Sequence, residues 1–131
     1  MIDSLGTFGV DSGPIDGLTG VWTGGRKIGS IGIHISRGVT THGFAINVSN
    51  DLQPFEWIVP CGIEGCQVTS LSRELGEAQD LAAFGDAVVE RFGQVYERRP
   101  VATQEQELAE PVEGIGALLA APVAPAEAAL R

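Results

Sequence analysis

Pro60-Cys61-Gly62-Ile63 follows an apolar run, Trp57-Ile58-Val59, and leads into a glycine-containing turn. This setting predicts a cysteine at the end of a strand, held between a stiff proline and a permissive glycine. Lys27, the only lysine of the chain, sits on another strand-like segment. A thiol is nucleophilic as its thiolate, and a neighbouring cation favours that form. At an effective dielectric of about 20, unit charges ~4 Å apart interact by roughly 4 kcal/mol, enough to move a thiol pKa by more than a unit. Arginine supplies charge but does not release its proton. Lysine can hold and release one, and so can serve an incoming amine as general base. Read alone, Cys61 also fits a packed small apolar residue.

Other residues capable of chemistry point less sharply. Cys61 and Cys66 are separated by four residues, and His34 and His42 could complete a set of four zinc ligands. Structural zinc sites favour closer cysteine pairs, so no metal is expected and Cys66 reads as a packed or surface thiol. His34 falls on the strand phase opposite the isoleucines and is expected to face solvent. His42 precedes Gly43 in a strand and reads as a hydrogen-bonded structural group or a further site residue. Gly29, Gly32 and Gly43 are costly within strands; they mark either close approach of a ligand to bare backbone or bends of the sheet. Nothing matches a phosphate loop or a dinucleotide fingerprint.

The positioning elements are legible in outline. Ile2, Leu5 and Phe8 recur at helical spacing, and residues 11–20 read as punctuation. Val21-Trp22-Thr23 is a short strand, and Gly24-Gly25 a hairpin turn. Lys27–Ser36 alternates as a strand, with a phase slip near Gly29-Ser30. A turn at Arg37-Gly38 precedes a second β segment, Val39–Val48. Val68–Leu71 is a short strand or a helix lead-in, and Ala78–Arg98 is an amphipathic helix ended by Pro100. Residues 101–131 are rich in Ala, Pro and Glu and are expected to be a disordered acidic tail. The sum is an α+β arrangement, a mixed or antiparallel sheet packed with helices.

With 131 residues the chain has room for one domain with a modest core. Its net charge is −9, of which −5 falls in residues 1–100 and −4 in the short tail. An acidic chain with few basic residues argues against nucleic acid as partner. No apolar run nears the ~18 residues of a membrane span. Asp3 and Gly6 interrupt any signal-peptide pattern, which sets cytoplasmic residence as the expectation. Two cysteines are too few for a disulfide framework.

Taken in order, several blocks resemble one family. They are Gly17-Leu18-Thr19-Gly20-Val21-Trp22, then Arg26-Lys27-Ile28-Gly29-Ser30-Ile31-Gly32, then Arg37-Gly38-Val39-Thr40-Thr41-His42-Gly43-Phe44-Ala45-Ile46-Asn47-Val48. Asp51-Leu52, Pro54-Phe55, Ile58-Val59-Pro60-Cys61-Gly62-Ile63 and Val68-Thr69-Ser70-Leu71 follow. From about residue 2 to residue 75 this is similar to the lipoyl(octanoyl) transferases of protein lipoylation. The resemblance implies transfer of an octanoyl group from acyl carrier protein to a lysine of a lipoyl domain. Acceptors would be the lipoyl domains of 2-oxoacid dehydrogenases and the glycine cleavage H protein. It implies that Cys61 carries the acyl group as a thioester and that Lys27 lowers the pKa of Cys61. It further implies that Ser30-Ile31-Gly32 and Gly43-Phe44-Ala45 line the acyl pocket, within a fold similar to the biotin- and lipoate-protein ligases. No cofactor, ATP or metal is implied, because the thioester donor is already activated. Backbone amides near Gly43 and Gly62 are candidate oxyanion donors.

One family block is missing: a run resembling Arg-Gly-Gly-x-x-Thr-Tyr-His-Gly-Pro-Gly-Gln has no counterpart here. The expectation is a C-terminal portion of the catalytic domain, residues 1–100, whose sheet exposes edges and core surface. The alternative is a non-catalytic fragment or a module that binds acyl carrier or lipoyl domains.

Overall fold

The computed structural model describes residues 1–104; the bulk of the expected acidic tail, from residue 105 on, lies outside the described residues. The element order is α1 (Ile2–Thr7), β1 (Gly13–Ile15), β2 (Leu18–Thr23), β3 (Arg26–Ser36), β4 (Val39–Ile46), α2 (Leu71–Leu75) and α3 (Leu81–Val95). Two 3-10 turns, Gln53–Trp57 and Pro60–Gly62, lie between β4 and α2. The four strands form one sheet in the order β1-β2-β3-β4, with β1–β2 and β2–β3 antiparallel. The α+β expectation therefore holds.

Turn chemistry sets the hairpins. Gly24 and Gly25 both have positive φ, 51° and 77°, the left-handed pair that a tight two-residue hairpin requires. Arg37 and Gly38 do the same between β3 and β4. Two compact units emerge: one comprises Met1–Ile33 and His42–Pro100, and the other includes the hairpin tip His34–Thr41. Within that tip, the Thr41 hydroxyl donates to the His34 carbonyl at 3.4 Å, and His34 is exposed as its strand phase predicts.

In the larger unit, Leu5, Val10, Val21, Ile28, Val48, Leu71 and Phe84 form a buried cluster. The Phe8 and Phe84 rings meet at 5.3 Å and 54°, joining α1 to α3. α2 starts on Ser70, whose Oγ accepts from the Arg73 amide, and ends on Gly76 at φ 75°.

Four expectations are corrected. Gly13–Ile15, read as punctuation, is an edge strand, because its backbone pairs with β2 whatever its weak strand propensity. Trp57–Val59 forms no strand; Pro60 begins a 3-10 turn instead. Val68–Leu71, read as a short strand or a helix lead-in, is the lead-in to α2 and needs no correction; Val68 makes an isolated parallel bridge to Lys27. The long helix is shorter at both ends. Asp80 caps it through the Ala82 and Ala83 amides, and Glu97 at φ 51° turns the chain back. The strand slip is also displaced. Val21 pairs with Gly29 but Trp22 with Lys27, so Ile28 is the extra residue of a bulge.

Candidate active site

The bulge decides which way the chemistry points. Ile28 is fully buried in the core with Val21, while Lys27 shares the opposite face with its strand partner Trp22. Lys27 is 2% exposed, yet its Nζ lies 2.9 Å from Cys61 Sγ. The ammonium also lies 5.7 Å from the centre of the Trp22 ring, within cation–π range. Cys61 itself is exposed. An open sulfur thus sits against a cation that water does not reach.

Cys61 is delivered by a strained turn. Its φ of 54° and ψ of 24° are left-handed, a conformation that costs a non-glycine residue on the order of 1 kcal/mol or more. Gly62 continues the turn at φ 71°, as its predicted permissiveness requires. The Gly62 amide donates to the Val59 carbonyl at 3.1 Å and the Ile63 amide to the Pro60 carbonyl at 3.0 Å. The Gly62 amide, expected as an oxyanion donor, is therefore already engaged in closing the turn.

The lysine is aimed by its surroundings. A Cβ built on Gly20 would lie 2.7 Å from Lys27 Cε and 2.6 Å from the Gly29 carbonyl oxygen. The lysine stem passes over bare backbone there, and φ at Gly20 is 127°. Both main-chain groups of Lys27 are bonded: its amide donates to the Gln67 carbonyl at 2.8 Å, and its carbonyl accepts from the Thr69 amide at 2.9 Å. Beside it, Arg26 makes a two-pronged pair with Glu74, Nε to Oε1 at 3.1 Å and Nη2 to Oε2 at 2.8 Å. The Thr69 hydroxyl donates to the same carboxylate. The Arg26 hydrogen bonds hold the Glu74 carboxyl below the usual carboxylate range against the opposing effect of burial, and Thr69 adds to the lowering.

The remaining predicted residues divide between the two faces. Ile31 and Phe44 line an open apolar groove of about 440 Å³ with Met1, Val88, Phe92 and Val95 on the helix side of the sheet. A Cβ on Gly29 would strike Met1 on that side. Strand alternation then puts Ser30 and Gly32, and with them Gly43 and Ala45, on the face of Lys27. They form a strip of small residues there. His42 is exposed with φ 70°, and among the described residues no hydrogen bond joins it to Lys27 or Cys61. Cys66 is a half-buried free thiol. Among the described residues no group of three or more His, Cys, Asp or Glu gathers to hold a metal, and no helix is long and apolar enough to cross a membrane.

Sequence reading missed Gly20 and Glu74. Gly20 stood among turn glycines, and only the path of the lysine stem distinguishes it. Glu74 was one of many acidic residues on a short helix; its link to Arg26 spans 48 residues and leaves no local trace.

Comparison with known proteins joins this geometry to a lineage. Over 97 residues the chain is 47% identical to an octanoyltransferase of Solibacter usitatus, covering 74% of this chain and 43% of that protein. It is 49% identical over 92 residues to an octanoyltransferase of Geobacter sulfurreducens, covering 70% and 39%. A third octanoyltransferase, of Prochlorococcus marinus, is 57% identical over 72 residues, covering 55% and 34%. The chain therefore spans less than half the length of these curated relatives. The family model of the lipoyl protein ligase A/B catalytic domain matches residues 1–93, a span that contains both Lys27 and Cys61, and the chain belongs to that family.

Proposed function

We propose that this chain carries the acyl-transfer centre of an octanoyltransferase, with Cys61 as nucleophile and Lys27 as its charge partner. The observation that carries the reading is the 2.9 Å approach of a buried ammonium to an exposed thiol. In the first half-reaction the Cys61 thiolate attacks the thioester carbonyl of octanoyl-acyl carrier protein. The carbon–sulfur bond to the carrier breaks, the carrier leaves as a thiolate that takes up the proton Cys61 gave up, and octanoyl-Cys61 remains. In the second, the ε-amine of a target lysine attacks that thioester. An amide forms, and the amine's proton ends on the Cys61 sulfur or passes through Lys27, which can hold and release it.

Ser30, Gly32, Gly43 and Ala45 support the reading, because small residues on the sheet face of Lys27 leave room there for an unbranched acyl chain. The acceptors in this reading are lipoyl domains of 2-oxoacid dehydrogenases and the glycine cleavage H protein, met in the cytoplasm. The donor arrives activated, so the scheme draws on no cofactor.

Intact-mass analysis after exposure to octanoyl-acyl carrier protein tests it. The expected result is one octanoyl adduct that hydroxylamine removes and that Cys61→Ser abolishes. No adduct on the folded chain, or an adduct that survives Cys61→Ser, overturns the assignment.

A further inference from the structure

The Lys27 backbone lies inside a closed ring of bonds whose far corner is Glu74. From the Lys27 carbonyl the ring runs through the Thr69 amide, along Thr69 to its hydroxyl, and on to the Glu74 carboxylate. It returns through the Arg26 guanidinium and the peptide bond that joins Arg26 to Lys27. Two stretches distant in sequence meet in it: the start of β3, and the 67–69 strip with the α2 helix that follows it. The Thr69 carbonyl accepts from Asn47 Nδ2 at 3.1 Å, which ties the strip to the end of β4 as well.

We propose that Glu74 is a positioning residue of the acyl-transfer centre, holding the Lys27 main chain so that its ammonium meets Cys61. The proposal rests on the reading of Cys61 and Lys27 as the reacting pair. Glu74 has no contact with the sulfur; it acts through Arg26 and Thr69. The physical case is geometric. The Lys27 stem runs over Gly20 and beside the Trp22 ring, and a rotation of the Lys27 backbone would carry the ammonium away from Cys61. The carboxylate is the one group that bonds both residues flanking this backbone. Arg26 is covalently adjacent to Lys27, and Thr69 is hydrogen-bonded to it. Its surroundings suit the task, since Thr69 is fully buried and Glu74 side-chain exposure is 14%. The Arg26 side chain is 39% exposed, so the hold comes from its two-pronged geometry and from the buried Thr69 rather than from burial of the cation.

The test uses the full chain with Cys66→Ser, so that Cys61 is the one thiol. Two quantities are read at neutral pH: the rate of Cys61 alkylation by iodoacetamide, and thiolate absorbance in the ultraviolet. Glu74→Ala is expected to slow alkylation about fivefold, within the range seen for contacting networks, and to lower thiolate absorbance. Thr7→Ala, which removes the hydroxyl bonds to the Asp3 carbonyl and to Arg91 between α1 and α3 and shares no partner with the ring, is expected to leave both readings unchanged at whatever stability it loses. In a Lys27→Met background, Glu74→Ala is expected to add nothing, because its effect runs through the lysine. Thr69→Val, which keeps side-chain shape and the backbone amide, serves if Glu74→Ala does not fold. Wild-type reactivity in a folded Glu74→Ala or Thr69→Val overturns the proposal. So does slowing by Glu74→Ala that persists in the Lys27→Met background. If Lys27→Met itself reacts like the parent, the proposed function fails instead.

Discussion

Lys27→Met separates the charge of the site from its shape. Methionine keeps an unbranched stem that fits over Gly20 and beside Trp22, but it carries no cation. At the observed 2.9 Å, an ammonium and a thiolate attract by about 1.4 kcal/mol in the dielectric of bulk water and about 6 kcal/mol at an effective value near 20. Because Cys61 is exposed and Lys27 buried, the true value lies between these limits. Even the lower limit, lost in full, corresponds to about a tenfold drop in reactivity of the sulfur. The stability effect has the opposite sign. A buried ammonium whose partners are a thiol and a ring face is poorly compensated. Removing it relieves a desolvation penalty of several kcal/mol, and because Cys61 is exposed no buried partner charge is stranded, so the change is expected to be neutral or stabilising. The expected phenotype is Cys61 alkylation at least about tenfold slower at neutral pH, with a melting temperature unchanged or raised. Iodoacetamide kinetics and thermal unfolding on the same sample read both. Unchanged alkylation would show that the lysine charge does not act on the sulfur. Slower alkylation with a lower melting temperature would mean that Lys27 is structural.

Gly20→Ala puts a Cβ 2.7 Å from Lys27 Cε at φ 127°, so it should both slow Cys61 alkylation and cost about 1–3 kcal/mol in thermal or urea unfolding. Wild-type alkylation in that variant would show that the lysine has another route. Phe84→Ala empties the centre of the core, where Phe84 is 3% exposed against Phe8, and should cost about 3–5 kcal/mol by urea unfolding. A cost below ~1 kcal/mol would mean that α3 is not held by that contact. Glu74 is depressed in the folded state by Arg26, so its contribution is fully present above the ordinary carboxylate pKa of about 4.5 and is lost as pH falls through its lower folded value. Arg26→Met should therefore lower stability at neutral pH and flatten the acid-side fall. Parallel pH–stability curves for parent and variant would refute the linkage.

How much of this was legible depends on the range of the interaction. Helices α1 and α3 were readable because Ile2, Leu5 and Phe8, and Leu81, Phe84 and Val88, carry their own period. The hairpins were readable from Gly24-Gly25 and Arg37-Gly38, since positive φ is a local demand with a local residue signature. The Pro-Cys-Gly turn announced a special backbone position but not its kind. Trp57-Ile58-Val59 looks like a strand, yet no strand partner holds it and its side chains remain exposed. β1 was hidden for the converse reason, because pairing with β2 makes a strand of Gly-Pro-Ile, which has little propensity of its own. The identities of Lys27 and Cys61 stood out, but their distance did not, because it depends on a bulge and on a parallel bridge between Lys27 and Val68, 41 positions apart, to which periodicity is blind.

The bulge at Ile28 explains why one short strand serves both the core and the chemistry. If the same residues paired with no bulge, Val21 would lie opposite Ile28 and Trp22 opposite Lys27 in an unbroken alternation, and every position beyond would exchange faces. Ile31 and Ile33 would then lie on the face of Lys27, crowding the sulfur with branched side chains. Ser30 and Gly32 would turn toward the helices. With the bulge, the branched residues go to the helix side and the small ones to the reactive side. The bulge therefore sorts side chains by size as well as aiming the lysine. Deleting Ile28 closes the bulge but leaves Gly29 opposite Val21, with Ser30, Ile31 and Gly32 on their present faces, so it separates the core contribution of Ile28 from the sorting of side chains.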